Sequence, residues 1–203
     1  MSASRKTLFT VGHSNHELPA FLAILAQHRV SAIADVRSQP TCWLPHFERV
    51  ALTAALRDAG IDYVFLGQEL GARRNESECY EDSRADYERI ARLPAFKKGL
   101  LRIRTGLEKR RICLLCAEKE PLDCHRAILV CRHLREPAIQ IQHILADGTL
   151  EDHASTEQRL VKLTDVQPTL FEPDLTAADL LEQAYEIRGR EIAYRAPAEG
   201  ATP

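Results

Sequence analysis

The 203-residue chain has no apolar run approaching the roughly 20 residues that a membrane-spanning helix needs, so a helical membrane protein is excluded. It has no internal repeat and no low-complexity tract, which removes solenoids and compositional linkers from consideration. Neither a dinucleotide fingerprint nor a phosphate loop occurs; Gly67 and Gly71 suit turn geometry instead. The paired Cys-x-x-Cys knuckles of structural zinc are missing as well. Cys113 and Cys116 have two residues between them, but on a strand they point to opposite faces. No secretory leader is read in Met1–Lys6, so the expected location is the cytoplasm, with its six cysteines mostly reduced.

What is present is an ordinary soluble composition, 45% hydrophobic and 28% charged, in a chain long enough for one domain with extensions. The formal charge of −2 hides an asymmetry. Residues 1–135 carry 22 Lys/Arg against 16 Asp/Glu, whereas residues 136–203 carry 5 against 13. Arg102, Arg104, Lys109, Arg110 and Arg111 make a basic stretch that suits either an anionic partner such as nucleic acid or a solvated helix face.

Apolar runs at residues 8–12, 31–37, 61–67, 112–116 and 139–145 read as strands. Between or after them, helical periodicity runs over residues 18–25, 47–59, 95–109, 122–134 and 175–187. Alternation of this kind predicts an α/β fold, a mostly parallel central sheet of about five strands with helices on both faces, three-layered and Rossmann-like. Residues 1–165 are read as the α/β domain, and 166–203 as an acidic C-terminal extension with a possible helix and a mobile tail.

Parallel sheets bind ligands beyond the carboxyl ends of their strands. The reactive residues sit where strands end: His13 and Ser14, then Asp35 and Arg37, then Glu69, then Cys116 and Glu118. Cys124, His125 and Arg126 follow in the first turn of the next predicted helix, which Pro121 opens. A helix amino end and a nearby cation lower a thiol's pKa, so Cys116 and Cys124 are candidate nucleophiles. They are equally candidates for buried fillers. His13, His125, Glu118 and Asp35 are candidate proton carriers, and Arg37, Arg126, Ser14 and Glu69 candidate substrate contacts. Strand, cysteine, loop, arginine, helix is the order seen in rhodanese-type sulfurtransferases and cysteine phosphatases, though this loop is longer than the phosphatase cradle. Cys116, Cys124, His125 and His13 are also permissible zinc or iron ligands, and the sequence names no cofactor.

Gly12-His13-Ser14, Asp35-Val36-Arg37-Ser38, Pro45-x-Phe47, Tyr63-x-x-Leu66-Gly67-x-Glu69-Leu70-Gly71 and Cys116-Ala-Glu118 with Cys124-His125-Arg126 together resemble the DUF488 family, over about residues 8–150. Thr41-Cys42 stands where an aromatic and a serine are expected, and Ala72 where a glycine is usual. The resemblance implies a soluble α/β domain whose motif residues share one site; the family name carries no reaction. The leading expectation is an enzyme, a hydrolase or transferase, acting on an anionic, phosphate-bearing substrate such as a nucleotide or nucleic acid. The alternatives are a non-catalytic nucleic-acid-binding module and a metal-binding protein.

Overall fold

A computed structural model describes residues 5–168 and 174–197. Its centre is a six-stranded sheet built from β1 (Lys6–Gly12), β2 (Ala32–Asp35), β3 (Asp62–Phe65), β6 (Ile112–Cys116), β7 (Ile139–Ile144) and β8 (Leu150–Asp152), in the order β3-β2-β6-β1-β7-β8. The first five are parallel, and β8 returns antiparallel along the β7 edge. The α/β three-layer prediction therefore holds, with one short edge strand added. A separate hairpin pairs β4 (Tyr80–Glu81) with β5 (Arg84–Ala85).

Alternation along the strands sorts side chains into two cores. Phe9, Val11, Ile33, Cys113 and Leu115 face α1 (Leu18–Gln27) and α2 (Arg49–Asp58), which supply Phe21, Leu25, Leu52 and Leu56. Leu8, Ala34, Ile112, Leu114 and Cys116 face the other way. That side is covered by α4 (Tyr87–Arg92), α5 (Pro94–Leu107), α6 (His153–Thr164) and α7 (Ala177–Ile192). Cys113 and Cys116 thus fall on opposite faces, as strand geometry requires. Each fully buried Leu or Phe in these layers contributes roughly 1.5–3 kcal/mol, so the fold is held by burial on both faces. α7 adds Ala184 and Tyr185 to the second core, tying the acidic C-terminal segment to the sheet. The tail expected over the last ten residues lies mostly outside the described residues.

Local signals set most boundaries. Gly60, at φ +73°, ends α2 in the left-handed conformation that glycine adopts without cost. Asp86 caps α4, Asp152 caps α6, and Thr176 with Asp179 forms a capping box on α7. One predicted helix differs. Pro121 opens only a 3-10 turn, Pro121–Asp123; Cys124 is then extended (φ −135°, ψ 135°), and a π-helix runs over Arg126–Cys131. Such π turns are rare and concentrate at functional sites. A short helix, α3 (Gly67–Leu70), follows β3. No helix among the described residues is long and apolar enough to cross a membrane.

Candidate functional site

The exits of β1 and β6 are zipped together past the end of the sheet. His13 N–H donates to the Cys116 carbonyl at 2.9 Å and Ser14 N–H to the Ala117 carbonyl at 2.9 Å. This brings the Glu118 carbonyl directly over Gly12, where an added Cβ would lie 1.8 Å from its oxygen. No other residue fits there. Arg126, completely buried, holds the same turn from below, donating from Nη1 to the Glu118 carbonyl at 2.6 Å and from Nη2 to the Lys119 carbonyl at 3.1 Å.

The loop pinned in this way delivers Glu118 to two sulfurs. Glu118 Oε2 lies 2.9 Å from Cys116 Sγ and 3.0 Å from Cys124 Sγ. His125 Nδ1 lies 3.6 Å from Cys116 Sγ, while Nε2 sits 3.0 Å from the Val36 carbonyl at the β2 exit. A carbonyl only accepts, so Nε2 carries a proton and Nδ1 is the nitrogen turned toward the sulfurs. Burial lowers the His125 pKa, but the hydrogen bond and charge of Cys124, with the charge of Glu118, outweigh it and raise it above the ordinary value. The donor atoms of Cys116, Glu118, Cys124 and His125 all lie within 4.8 Å of one another, close enough to surround a single ion. Burial pushes the Cys116 thiol well above its ordinary pKa, as does the neighbouring Cys124. Burial acts the same way on Cys124, but the hydrogen bond from Cys116 and the charges of Arg126 and His125 outweigh it and hold that thiol well below the usual range.

Behind the cluster, Asp35 is fully buried and spent on structure. It accepts from Arg37 Nε at 3.0 Å and Nη2 at 2.6 Å, and from the Tyr63 hydroxyl at 2.8 Å. Arg37 also donates from Nη1 to the Phe47 carbonyl at 3.0 Å. His13 stacks on Phe47 at 4.4 Å and spends Nδ1 on the Ser14 carbonyl, leaving Nε2 buried without a partner. Burial, then the charge of Arg37, lowers the His13 pKa to about 4, so the ring is neutral near pH 7.

A pocket of about 250 Å³ opens in front of these groups, with His13, Arg37, Cys116, Glu118 and His125 in its walls. Of the residues singled out in the sequence, these five share it. Cys124 touches them from behind without reaching the pocket wall, and Asp35 and Arg126 support from below. Ser14, at φ +49°, turns the chain away from the pocket. Glu69 lies apart, ion-paired with Arg102. Sequence reasoning passed over Thr41, Cys42, Ala72, Arg73 and Asp123, which line the pocket, and Ile192, the last residue of α7, and Tyr194 just after it, which close it. Arg73 stacks on the Tyr194 ring, 4.7 Å from its centroid. Thr41-Cys42 and Ala72, the positions that depart from the family pattern, were the available signal for part of this wall.

The family model described as "Domain of unknown function DUF488" matches residues 17–132, more than half of the chain. The chain belongs to the DUF488 family. The matched span contains the Cys116–Glu118–Cys124–His125 cluster, Asp35, Arg37 and Arg126; His13 precedes it, and Tyr194 follows it. No curated protein and no solved structure matches this DUF488 chain.

Proposed function

We propose that this DUF488 chain is an enzyme of the hydrolase or transferase class that acts on a small anionic substrate in the pocket at the carboxyl edge of the sheet. One observation carries the reading. Groups from four separate chain segments meet in a single pocket: His13 after β1, Arg37 after β2, Arg73 after α3, and Cys116 with Glu118 at the end of β6. A fold has little structural reason to gather polar groups from so many segments at one strand edge, and substrate sites of parallel sheets lie there.

Arg73 supplies the preference for an anion. Its guanidinium sits over the Tyr194 ring and makes no ion pair among the described residues, so its fork is available for a phosphate or carboxylate. Arg37, already matched by Asp35, contributes a positive wall rather than the main anchor. Glu118, exposed at the pocket, and His13, with its unpartnered Nε2, are the proton carriers in reach.

The nucleic-acid-module reading finds less support, because the basic stretch is largely neutralised: Arg102 pairs with Glu69, Arg104 with Glu136 and Arg110 with Asp62. Calorimetric titration with inorganic phosphate and nucleoside monophosphates tests the proposal. Binding to the wild type that weakens roughly tenfold in Arg73→Ala is expected. Turnover of a phosphate-ester and nucleoside panel that vanishes in Glu118→Gln would complete it. A wild-type protein that binds none of these anions overturns the reading.

A further inference from the structure

We infer that Cys116, Cys124, His125 and Glu118 form a binding site for one divalent transition-metal ion of the zinc type. The use of this ion in catalysis rests on the pocket being an active site; its binding does not.

The distances fit an ion before it arrives. Metal–sulfur bonds of about 2.3 Å and metal–nitrogen bonds of about 2.0–2.1 Å place tetrahedral ligand atoms about 3.4–3.8 Å apart. The Cys116 Sγ to His125 Nδ1 separation is 3.6 Å. Glu118 Oε2, at 2.9 and 3.0 Å from the sulfurs, occupies the space between them and need withdraw only about half an ångström to become a fourth ligand. Glu118 is exposed and faces the pocket, so it is the ligand able to give way to a water or a substrate oxygen. The other three belong to the strand end and the π-helix entrance and are fixed.

The surroundings fit as well. A metal-binding imidazole characteristically donates its remote N–H to a carbonyl or carboxylate, which fixes the tautomer and aims the ligating nitrogen. His125 does this with the Val36 carbonyl, and Val36 is itself held by its N–H to the Leu115 carbonyl at 3.0 Å. The Arg126 backbone N–H points at Cys124 Sγ at 3.4 Å, the contact a metal-bound thiolate receives. Two thiolates and a carboxylate carry three negative charges. A dication and the buried Arg126, which makes no salt bridge among the described residues, balance them to zero. Sulfur with imidazole selects zinc over magnesium or calcium. The extended Cys124 makes the arrangement possible: a regular helix from Pro121 would not place Cys124 and His125 on one centre with Cys116.

The test uses full-length, tag-free protein. Elemental analysis of protein grown with zinc is expected to return one ion per chain. Stripped protein titrated with Co²⁺ is expected to develop the near-ultraviolet thiolate-to-cobalt charge-transfer band and the strong visible bands of tetrahedral cobalt. Cys116→Ser and Cys124→Ser should each lower Zn²⁺ affinity more than roughly a hundredfold, and Glu118→Gln roughly tenfold with the charge-transfer band retained. If the cysteine variants do not fold, the wild-type cobalt band decides, because only a sulfur ligand produces it. Substoichiometric metal without that band, a metal-free Cys116–Cys124 disulfide, or equal affinity in folded cysteine variants overturns the site. Metal binding without any anion binding would leave the ion and remove the proposed substrate class; the reverse result would remove the ion and leave the pocket.

Discussion

Two buried polar clusters flank the same sheet, and they are built on opposite rules. One is the cysteine, histidine and carboxylate group at the β6 exit. The other is a chain that runs from Thr10 Oγ1 to His143 Nδ1 (2.8 Å), from His143 Nε2 to His153 Nδ1 (2.9 Å), on to the Tyr185 hydroxyl (3.1 Å) and to Glu157 Oε1 (2.9 Å). In the chain, donors and acceptors alternate. Tyr185 gives its proton to Glu157, so it accepts from His153, which accepts from His143, which accepts from Thr10. Each of these contacts is satisfied with both imidazoles neutral, and nothing more is needed. At the β6 exit, two sulfurs, a carboxylate and a ring nitrogen, all of them able to ligate a metal, crowd within 4.8 Å of one another beside a pocket. Satisfied polar groups hold a fold together, while ligating atoms gathered at an open pocket can also serve a cation or a substrate.

Four experiments press on this contrast, the three substitutions in order of expected effect. Gly12→Val would drive a side chain into the Glu118 carbonyl, now 1.8 Å from where its Cβ would stand. It is expected to destabilise by about 3 kcal/mol in urea denaturation and to abolish both anion and metal binding. Tyr185→Phe breaks the closed chain instead. It strands the His153 N–H, while Glu157 Oε1 keeps its Arg135 partner, at a cost of about 1–3 kcal/mol, and should leave phosphate binding and metal content at wild-type values. A change in either would mean that the two clusters are coupled.

The third is a pH profile. Burial, then the charge of Arg135, lowers His153 to about 4, and burial with the charge of His153 holds His143 well below its ordinary value. An unfolded histidine titrates near 6.5. Above that pH both states are neutral and the full stability is present. Below it the unfolded chain takes up protons that the fold refuses. Stability should therefore fall by up to about 1.4 kcal/mol per pH unit per histidine as the pH drops from 6.5 toward 4. A flat denaturation midpoint across that window would show that the chain of neutral imidazoles is wrong. Last, Arg110→Ala on the outer helix exit should move stability by less than about 0.5 kcal/mol, since its partner Asp62 is exposed. The same variant should leave phosphate binding in the pocket unaltered.

The parts of the site that were legible in the sequence were those written locally. Cys116 and Glu118 stood two residues apart after an apolar run, and Cys124-His125-Arg126 stood together after Pro121. Strand exits gather at one edge in any parallel sheet, so His13 and Arg37 could be placed beside them from the order of elements alone. Arg73 and Tyr194 could not be, because their stacking joins positions 121 apart through contacts that no local pattern encodes. Glu69 sat at a strand exit yet was drawn off by Arg102 on α5. The α6 helix and the short β8 escaped notice because their apolar positions are few and the edge strand is three residues long.

By itself, then, the order of apolar runs and caps determined the three-layer α/β fold, since alternation and helical period dictate which face of each element must be buried. It also determined which residue types reach the carboxyl edge. The tertiary structure alone decided what those residues do for one another. Arg126 turned inward to hold two carbonyls, Asp35 was committed to Arg37 and Tyr63, and the Val36 carbonyl fixed the tautomer of His125. Each of those outcomes depends on a backbone oxygen or a charge delivered from a distant segment, and such partners exist only once the chain has closed on itself.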